Sequence, residues 1–180
     1  MNKYSFSEFV KTSYSLIVTK LTYRNARLIR RPVYIRGGRS IEGANGLTTG
    51  RFCRFDLDGT KKTLFIGDNC EIGDMVHIVA LNKVTIGDNL LAASKVFISD
   101  TSHGSYKGES VSCHSIAPND RELVKGETCI GNNVWLGENS VILSGSVIGD
   151  GCVIGANTVV SKEIPPNSIV VGHNRIVRQY

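Results

Sequence analysis

Between Ile130 and Val160 an aliphatic residue stands at every sixth position: Ile130, Leu136, Ile142, Ile148, Ile154 and Val160. A small or β-branched residue follows four places later, at Val134, Ser140, Ser146, Cys152 and Thr158. A helix cannot use that spacing, because six steps of about 100° turn each aliphatic by about 240° from the last and scatter the set around the axis. One long strand would accept an even period, but the Gly and Asn in every repeat would break it. The pattern instead predicts three short flat strands per coil with tight corners between them, the aliphatics pointing inward and Gly or Asn taking the corner dihedrals. Residues one full coil apart then stack: Ile130 on Ile148, Leu136 on Ile154, Ile142 on Val160. Such an all-β solenoid has a single narrow core in which each coil stabilises its neighbours.

Six-residue spacing also occurs upstream, at Ile35, Ile41, Leu47 and Cys53, and after a polar interruption around 56–60 it resumes at Ile66, Ile72 and Ile78. Two extra residues within 80–83 predict a corner bulge before Ile86, Ala92 and Ile98. From Ser99 to Thr128 the repeat is lost in a polar stretch of a length that is uncommon unless functional or disordered, which makes it the first place to look for chemistry. Ahead of the repeats, residues 5–24 read as an amphipathic helix, with Phe6, Phe9, Val10, Tyr14, Ile17 and Leu21 in one stripe and Ser5 with Glu8 at capping-box spacing. Its basic flank (Lys11, Lys20, Arg24, Arg27, Arg30, Arg31) suits a membrane-surface anchor. The expected role is the cap that an open solenoid end requires. Pro165-Pro166 ends regular coiling, and Arg175 and Arg178 sit in a short basic tail. The expected division is a helical arm at 1–30, a β-helix at 31–172 with an excursion loop at 99–128, and a tail at 173–180.

A chain of 180 residues suits one domain. Its 19 Gly and 7% aromatics fit a thin interior with no room for large rings. The net charge of +5 suits nucleic acid, anionic membrane or a polyanionic small molecule equally, and no nucleic-acid motif accompanies it. Five scattered cysteines lack any C-x-x-C pair, and Cys53, Cys70 and Cys152 fall where the repeat wants small inward side chains, so buried reduced thiols are expected. Lys11 and Lys20 interrupt every apolar run near the N-terminus, which predicts neither signal peptide nor membrane span. A cytoplasmic protein is expected, with the inner face of the membrane open to it through the helix.

Several segments carry a family resemblance: VTIGDN (84–89), KVFISDTSHG (95–104), APNDREL (117–123), IGNNVWLGENSVIL (130–143) and VIGANTVVSKEIPPNSIVVG (153–172). The chain resembles the hexapeptide-repeat acyltransferases, and more closely the O-acetyltransferases of bacterial lipopolysaccharide, capsule and colanic acid synthesis. The resemblance implies a left-handed parallel β-helix, against the usual right-handed crossover rule. It also implies a homotrimer with sites between subunits, acetyl-CoA as co-substrate, no metal, and a carbohydrate acceptor.

Acetyl transfer from a thioester to a hydroxyl needs a base that takes the hydroxyl proton and can return it to the leaving thiolate, work suited to an imidazole. By motif match His103 occupies the catalytic histidine position. Asp100, three residues earlier, would hold its tautomer as a triad carboxylate does, or would cap a turn. His77 and Asp74 fall where related enzymes contact the acceptor. Gly137, Glu138, Ala156, Ser161 and Lys162 match the coenzyme A groove, Glu138 through its backbone alone, and Arg178 is expected near the nucleotide, with Arg175 as its rival. Trp135, the one tryptophan, is expected to face outward, walling the thioester site or touching a neighbouring subunit. Two other classes remain open: a zinc enzyme resembling γ-class carbonic anhydrases, although no H-x₄-H-like pair is present, and a non-catalytic solenoid scaffold.

Overall fold

A computed structural model describes residues 5–106 and 111–180. Helix α1 (Phe6–Thr22) leads into about seven coils of a left-handed parallel β-helix. The prism has three faces. The first is built from strands such as Leu28–Ile29, Glu71–Ile72, Trp135–Leu136 and Val153–Ile154; the second from His77–Ala80, Phe97–Ser99 and Val141–Ile142; the third from Lys83–Ile86, Glu127–Ile130 and Val147–Ile148. Pairing between successive coils is parallel throughout, and the expected stacks are present, Ile130 beside Ile148, Leu136 beside Ile154, Ile142 beside Val160. These side chains are almost wholly buried in one continuous core, each contributing about 1.5–3 kcal/mol by leaving water. Val134, Ser140, Ser146, Cys152 and Thr158 fill the second inward slot.

The upstream frame differs from the expected one. Ile35 keeps the leading slot, beside Phe55. Ile41 instead pairs with Leu64, two residues ahead of Ile66, while Leu47 and Cys53 precede Thr49 and Phe55, which take the inward ladder positions beside Ile72 and Ile78. The corner at 37–40, with a short 3-10 turn at Gly38–Ser40, shifts the frame by two. Burial survives because both slots point inward. The bulge after Ala80 is present, and the five cysteines are unpaired. Cys53, Cys70 and Cys152 are buried, and burial pushes the Cys53 thiol up to about 11. Cys113, in the excursion, is exposed.

Corner residues adopt the left-handed backbone region at regular intervals, and most are Asn: 69, 89, 133, 139, 157 and 167. Asn tolerates that region because its short polar side chain bonds locally. Phe52, Met75 and Lys95 are exceptions at φ 60°, 59° and 61°, all on the corner between the first and second faces. Met75→Asn is therefore expected to raise stability by about 0.5–1 kcal/mol, a rise of roughly 1–4 °C in a thermal melt. A fall in Tm would mean that the exposed thioether contributes more than the strain removes.

Helix α1 begins with the expected capping box, the Glu8 N–H donating to Ser5 Oγ and the Ser5 N–H to the Glu8 carboxylate. It does not cap the prism with its apolar stripe. Ser15 and Thr19 are its buried residues, and Thr19 Oγ1 and Ser15 Oγ accept the N–H groups of Ile29 and Arg31 on the first, unpaired strand edge. An exposed edge needs its amides satisfied; hydroxyls do that, and phenyl or isobutyl groups cannot. Tyr23, just past the helix, is the residue that packs on the core there. At the other end, Arg175–Gln179 folds back antiparallel on Ser168–Val171. Among the described residues no helix is long and apolar enough to cross a membrane.

Candidate active site

The excursion leaves the prism where the second face turns into the third. Ser99 is still in register with Val79, and Thr128 with Val84, so both ends belong to the coil. Between them Thr101–His103 pairs antiparallel with Leu123–Lys125, a two-stranded ribbon that carries the histidine outward. The root of the ribbon is tied by polar bonds. The Gly126 N–H donates to the Asp100 carbonyl at 2.8 Å, Asn82 Nδ2 to the Gly126 carbonyl at 3.0 Å, and Thr128 Oγ1 to the Ser99 carbonyl at 2.9 Å.

His103 is exposed, and its ring makes no hydrogen bond among the described residues. Its backbone is held: Tyr106 donates its hydroxyl to the His103 carbonyl at 2.7 Å, and Arg121 donates to the Tyr106 oxygen and to the Ile116 carbonyl. The Arg121 guanidinium also lies over the Tyr106 ring, 5.9 Å from its centroid. Tyr106 and Arg121 are thus positioning residues that sequence reading did not single out. The available signal was Arg121 within APNDREL, a cation in the excursion that bears the histidine.

Asp100 is fully buried. One carboxylate oxygen accepts the Leu81 N–H at 3.1 Å and the other the Asn82 N–H at 2.6 Å. Of the two roles expected from sequence, this is the turn cap: both oxygens serve the bulge after Ala80, and neither bonds to His103 among the described residues. Three residues of spacing suggested a dyad, but the backbone turns at Asp100 and sends the carboxylate inward while the imidazole continues outward.

The matched coenzyme A residues divide between two corners. Trp135 faces outward on the first face, half exposed, between Leu91 and Val153. Gly137, Glu138 and Ala156 follow at the corner from the first to the second face. A Cβ at Gly137 would come within 2.5 Å of the Ala156 nitrogen, so the two coils approach as closely there as only glycine permits. The Glu138 carbonyl accepts the Asn157 N–H, and its carboxylate pairs with Lys95 at 3.4 Å. Asp74 lines the same corner, in a cleft of about 420 Å³ shared with Arg30, Glu71, Ser94 and Glu138, and its Oδ1 accepts the Arg51 N–H at 2.6 Å.

Ser161 and Lys162 lie at the other edge of the second face, the edge from which the His103 ribbon departs. Ser161 is knotted to His173 and Asn174. Lys162 is exposed and forms no ion pair among the described residues. Arg178 lies on the folded-back strand opposite Ile169, its guanidinium 4.3 Å from the centroid of the Tyr180 ring. The two groups are separated by the width of the second face, roughly 15–20 Å by strand rise.

His77 sits on the outer side of the second face with Phe97 edge-on at 5.2 Å, and its Nε2 lies 3.0 Å from Asp56 Oδ2. Arg54 Nε reaches the same oxygen at 2.6 Å, and Arg36 approaches the other at 3.4 Å. Burial works to raise the Asp56 carboxyl, but the hydrogen bonds from His77 and Arg54 outweigh it and hold the group below the usual carboxylate range. Among the described residues no three His, Cys, Asp or Glu side chains come together to hold a metal ion.

Residues 130–162 match the bacterial transferase hexapeptide family of six repeats. Over 180 aligned residues, 99% of this chain and 91% of the relative, the sequence is 41% identical to the putative lipopolysaccharide biosynthesis O-acetyl transferase WbbJ of Escherichia coli K12. A hexapeptide-repeat acetyltransferase of Vibrio cholerae, solved with acetyl coenzyme A, is similar at TM-score 0.64 and 28% identity over 78% of this chain and 70% of that one. AntD, an N-acyltransferase of Bacillus cereus solved with dTDP and coenzyme A, reaches TM-score 0.71 over 99% of this chain and 91% of its own. At 19% identity that last likeness is one of fold.

Proposed function

The chain belongs to the bacterial hexapeptide-repeat acetyltransferases, and we propose that it moves an acetyl group from acetyl-CoA to a sugar hydroxyl of a bacterial surface glycan or its precursor. The observation that carries this reading is His103, an imidazole with both ring nitrogens uncommitted among the described residues, at the end of a braced ribbon, in a chain 41% identical along its length to a putative lipopolysaccharide O-acetyl transferase. Acetyl-CoA, as second substrate, supplies the activated acyl carbonyl.

His103 accepts the proton of the acceptor hydroxyl as that oxygen bonds to the carbonyl carbon. The carbon–sulfur bond then breaks, and the imidazolium returns its proton to the departing thiolate, leaving an acetyl ester and a free thiol. Tyr106 and Arg121 fix the backbone from which the ring projects. Asp100 acts one step further back, holding the root of the ribbon through the 81–82 turn.

The split of the matched residues between two edges of the second face supports a homotrimer with sites between subunits. His103, Ser161 and Lys162 on one edge would face Trp135, Gly137 and Ala156 on the other edge of a neighbouring copy. His77 and Asp74 are assigned to the acceptor, His77 on the outer side of the second face and Asp74 at its first-face corner. The protein is placed in the cytoplasm, where acetyl-CoA is made.

The test is thiol release from acetyl-CoA across a panel of bacterial surface sugars and oligosaccharides, with mass analysis of the product. Release with no sugar in the panel, and no binding of coenzyme A, would leave a scaffold. A single variant probes the carrier end. Lys162→Ala is expected to raise KM for acetyl-CoA by about tenfold with little change in kcat, because an exposed lysine near the phosphates acts through charge-assisted bonds. An unchanged KM would remove Lys162 from the groove.

A further inference from the structure

The N-terminal end of the prism carries three features that the acetyl-transfer reading does not use. The first is the orientation of α1. Ser15 and Thr19 bond to the free edge of the first strand, in the direction that the next coil would occupy, so the opposite side of the helix points out along the prism axis. At 100° per residue that opposite side is Phe6, Val10, Ile17 and Leu21. All four are exposed, Phe6 by 82% and Leu21 by 77%, and Phe9 and Tyr14 flank them.

The second feature lies beside the helix. The first coil is left open as a cavity of about 840 Å³ with an apolar lining that includes Ala26, Val33 and Ile41. Its rim is cationic: Arg24, Arg31, Arg39 and Lys62 line it, and none forms an ion pair with a carboxylate among the described residues. Arg31 Nε is buried there without a hydrogen-bond partner among the described residues.

The third is the distribution of charge along the axis. Residues 1–62 contain thirteen Lys and Arg against four Asp and Glu, whereas 63–180 contain eight against twelve. The net charge of +5 therefore conceals an end at +9 and a remainder at −4. The excess of cations sits at the end that also presents the apolar stripe.

We propose that this end docks on an anionic phospholipid bilayer, with the α1 stripe among the headgroups and outer acyl segments and the unpaired rim cations on lipid phosphates. The charge asymmetry selects a bilayer over a second copy of the chain, since two ends at +9 would repel. It also gives the enzyme a fixed orientation, axis upright, with the His103 ribbon held several coils above the surface. The inference does not depend on the role of His103.

The test is co-sedimentation of the full chain with phosphatidylcholine vesicles and with vesicles containing about one third phosphatidylglycerol, at low and high salt. Binding to the anionic vesicles is expected to be at least ~10-fold stronger and to weaken with salt. The stripe variant Phe6→Ser/Ile17→Ser/Leu21→Ser, whose positions are all exposed, should lose that binding while its melt and its thiol release with a soluble acceptor stay unchanged. Arg24→Gln/Arg39→Gln/Lys62→Gln should lose the preference for anionic vesicles. The proposal is overturned if the wild-type chain ignores anionic vesicles or if the stripe variant binds them as before. It is equally overturned if the stripe variant sediments as a smaller assembly with vesicle binding intact, for the stripe would then be a contact between copies.

Discussion

Replacing His103 with alanine is expected to lower kcat for acetyl transfer by about 10²–10⁴-fold, the usual contribution of a positioned general base. Binding of acetyl-CoA and the mass of the assembly should be retained. The side chain is exposed and its ring bonds to nothing else among the described residues, so its removal leaves no buried group unpaired and no cavity. That separates chemistry from folding more cleanly than most catalytic substitutions do. His103→Asn should be as inactive as the alanine variant, since an amide cannot take the proton. Near-normal turnover in either variant would remove His103 from the mechanism, and a base would then have to be sought elsewhere, with His77 beside Asp56 as the next imidazole to test.

Asp100→Ala should act quite differently. The carboxylate is fully buried and accepts two backbone N–H groups, so alanine strands both amides in the interior. Leaving two buried donors unsatisfied costs roughly 2–5 kcal/mol, a fall in Tm of about 5–15 °C for a chain of this length. Asp100→Asn keeps one acceptor oxygen and should recover about half of the loss. Turnover falls with both, because the ribbon that carries His103 is rooted at this residue, but the pH dependence of the remaining activity should keep its wild-type shape. An unchanged melt together with a shifted pH–rate profile in Asp100→Asn would place the carboxylate on the imidazole after all.

The two predictions show where spacing along the chain is a sound guide and where it misleads. Repeats are read correctly because every sixth residue must meet the same environment, so burial of Ile142 or Ser146 is dictated by period alone. Asp100 and His103 have no such constraint. Three residues can place two side chains together or on opposite sides of a corner, and the turn at 100 decides it. The same limit explains α1: its amphipathic stripe was legible, while the face it would bury was not, because a strand edge asks for hydrogen-bond acceptors before it asks for apolar cover.

The upstream frame teaches a related lesson. Ile41, Leu47 and Cys53 keep the expected period, with Leu47 and Cys53 buried and Ile41 partly so, yet occupy the second inward slot, since a two-residue shift in a β-strand preserves the side to which a residue points. Period alone cannot tell the slots apart. Pairing with the next coil can, and Thr49 beside Ile72 settles the register.

From sequence alone came the stacked coils, the inward columns, the bulge after Ala80, the capping box on α1 and the loop that bears the histidine, all features enforced by repetition or by short-range chemistry. Tertiary structure decided what depends on how distant segments meet: the Asp100 carboxylate turned to backbone amides, Tyr106 and Arg121 bracing the ribbon, the matched residues parted between two edges of one face, and the apolar side of α1 left pointing away from the prism. Local rules specify the direction of a side chain relative to its own strand or helix, whereas its partners are set by the packing of segments that sequence order does not bring together.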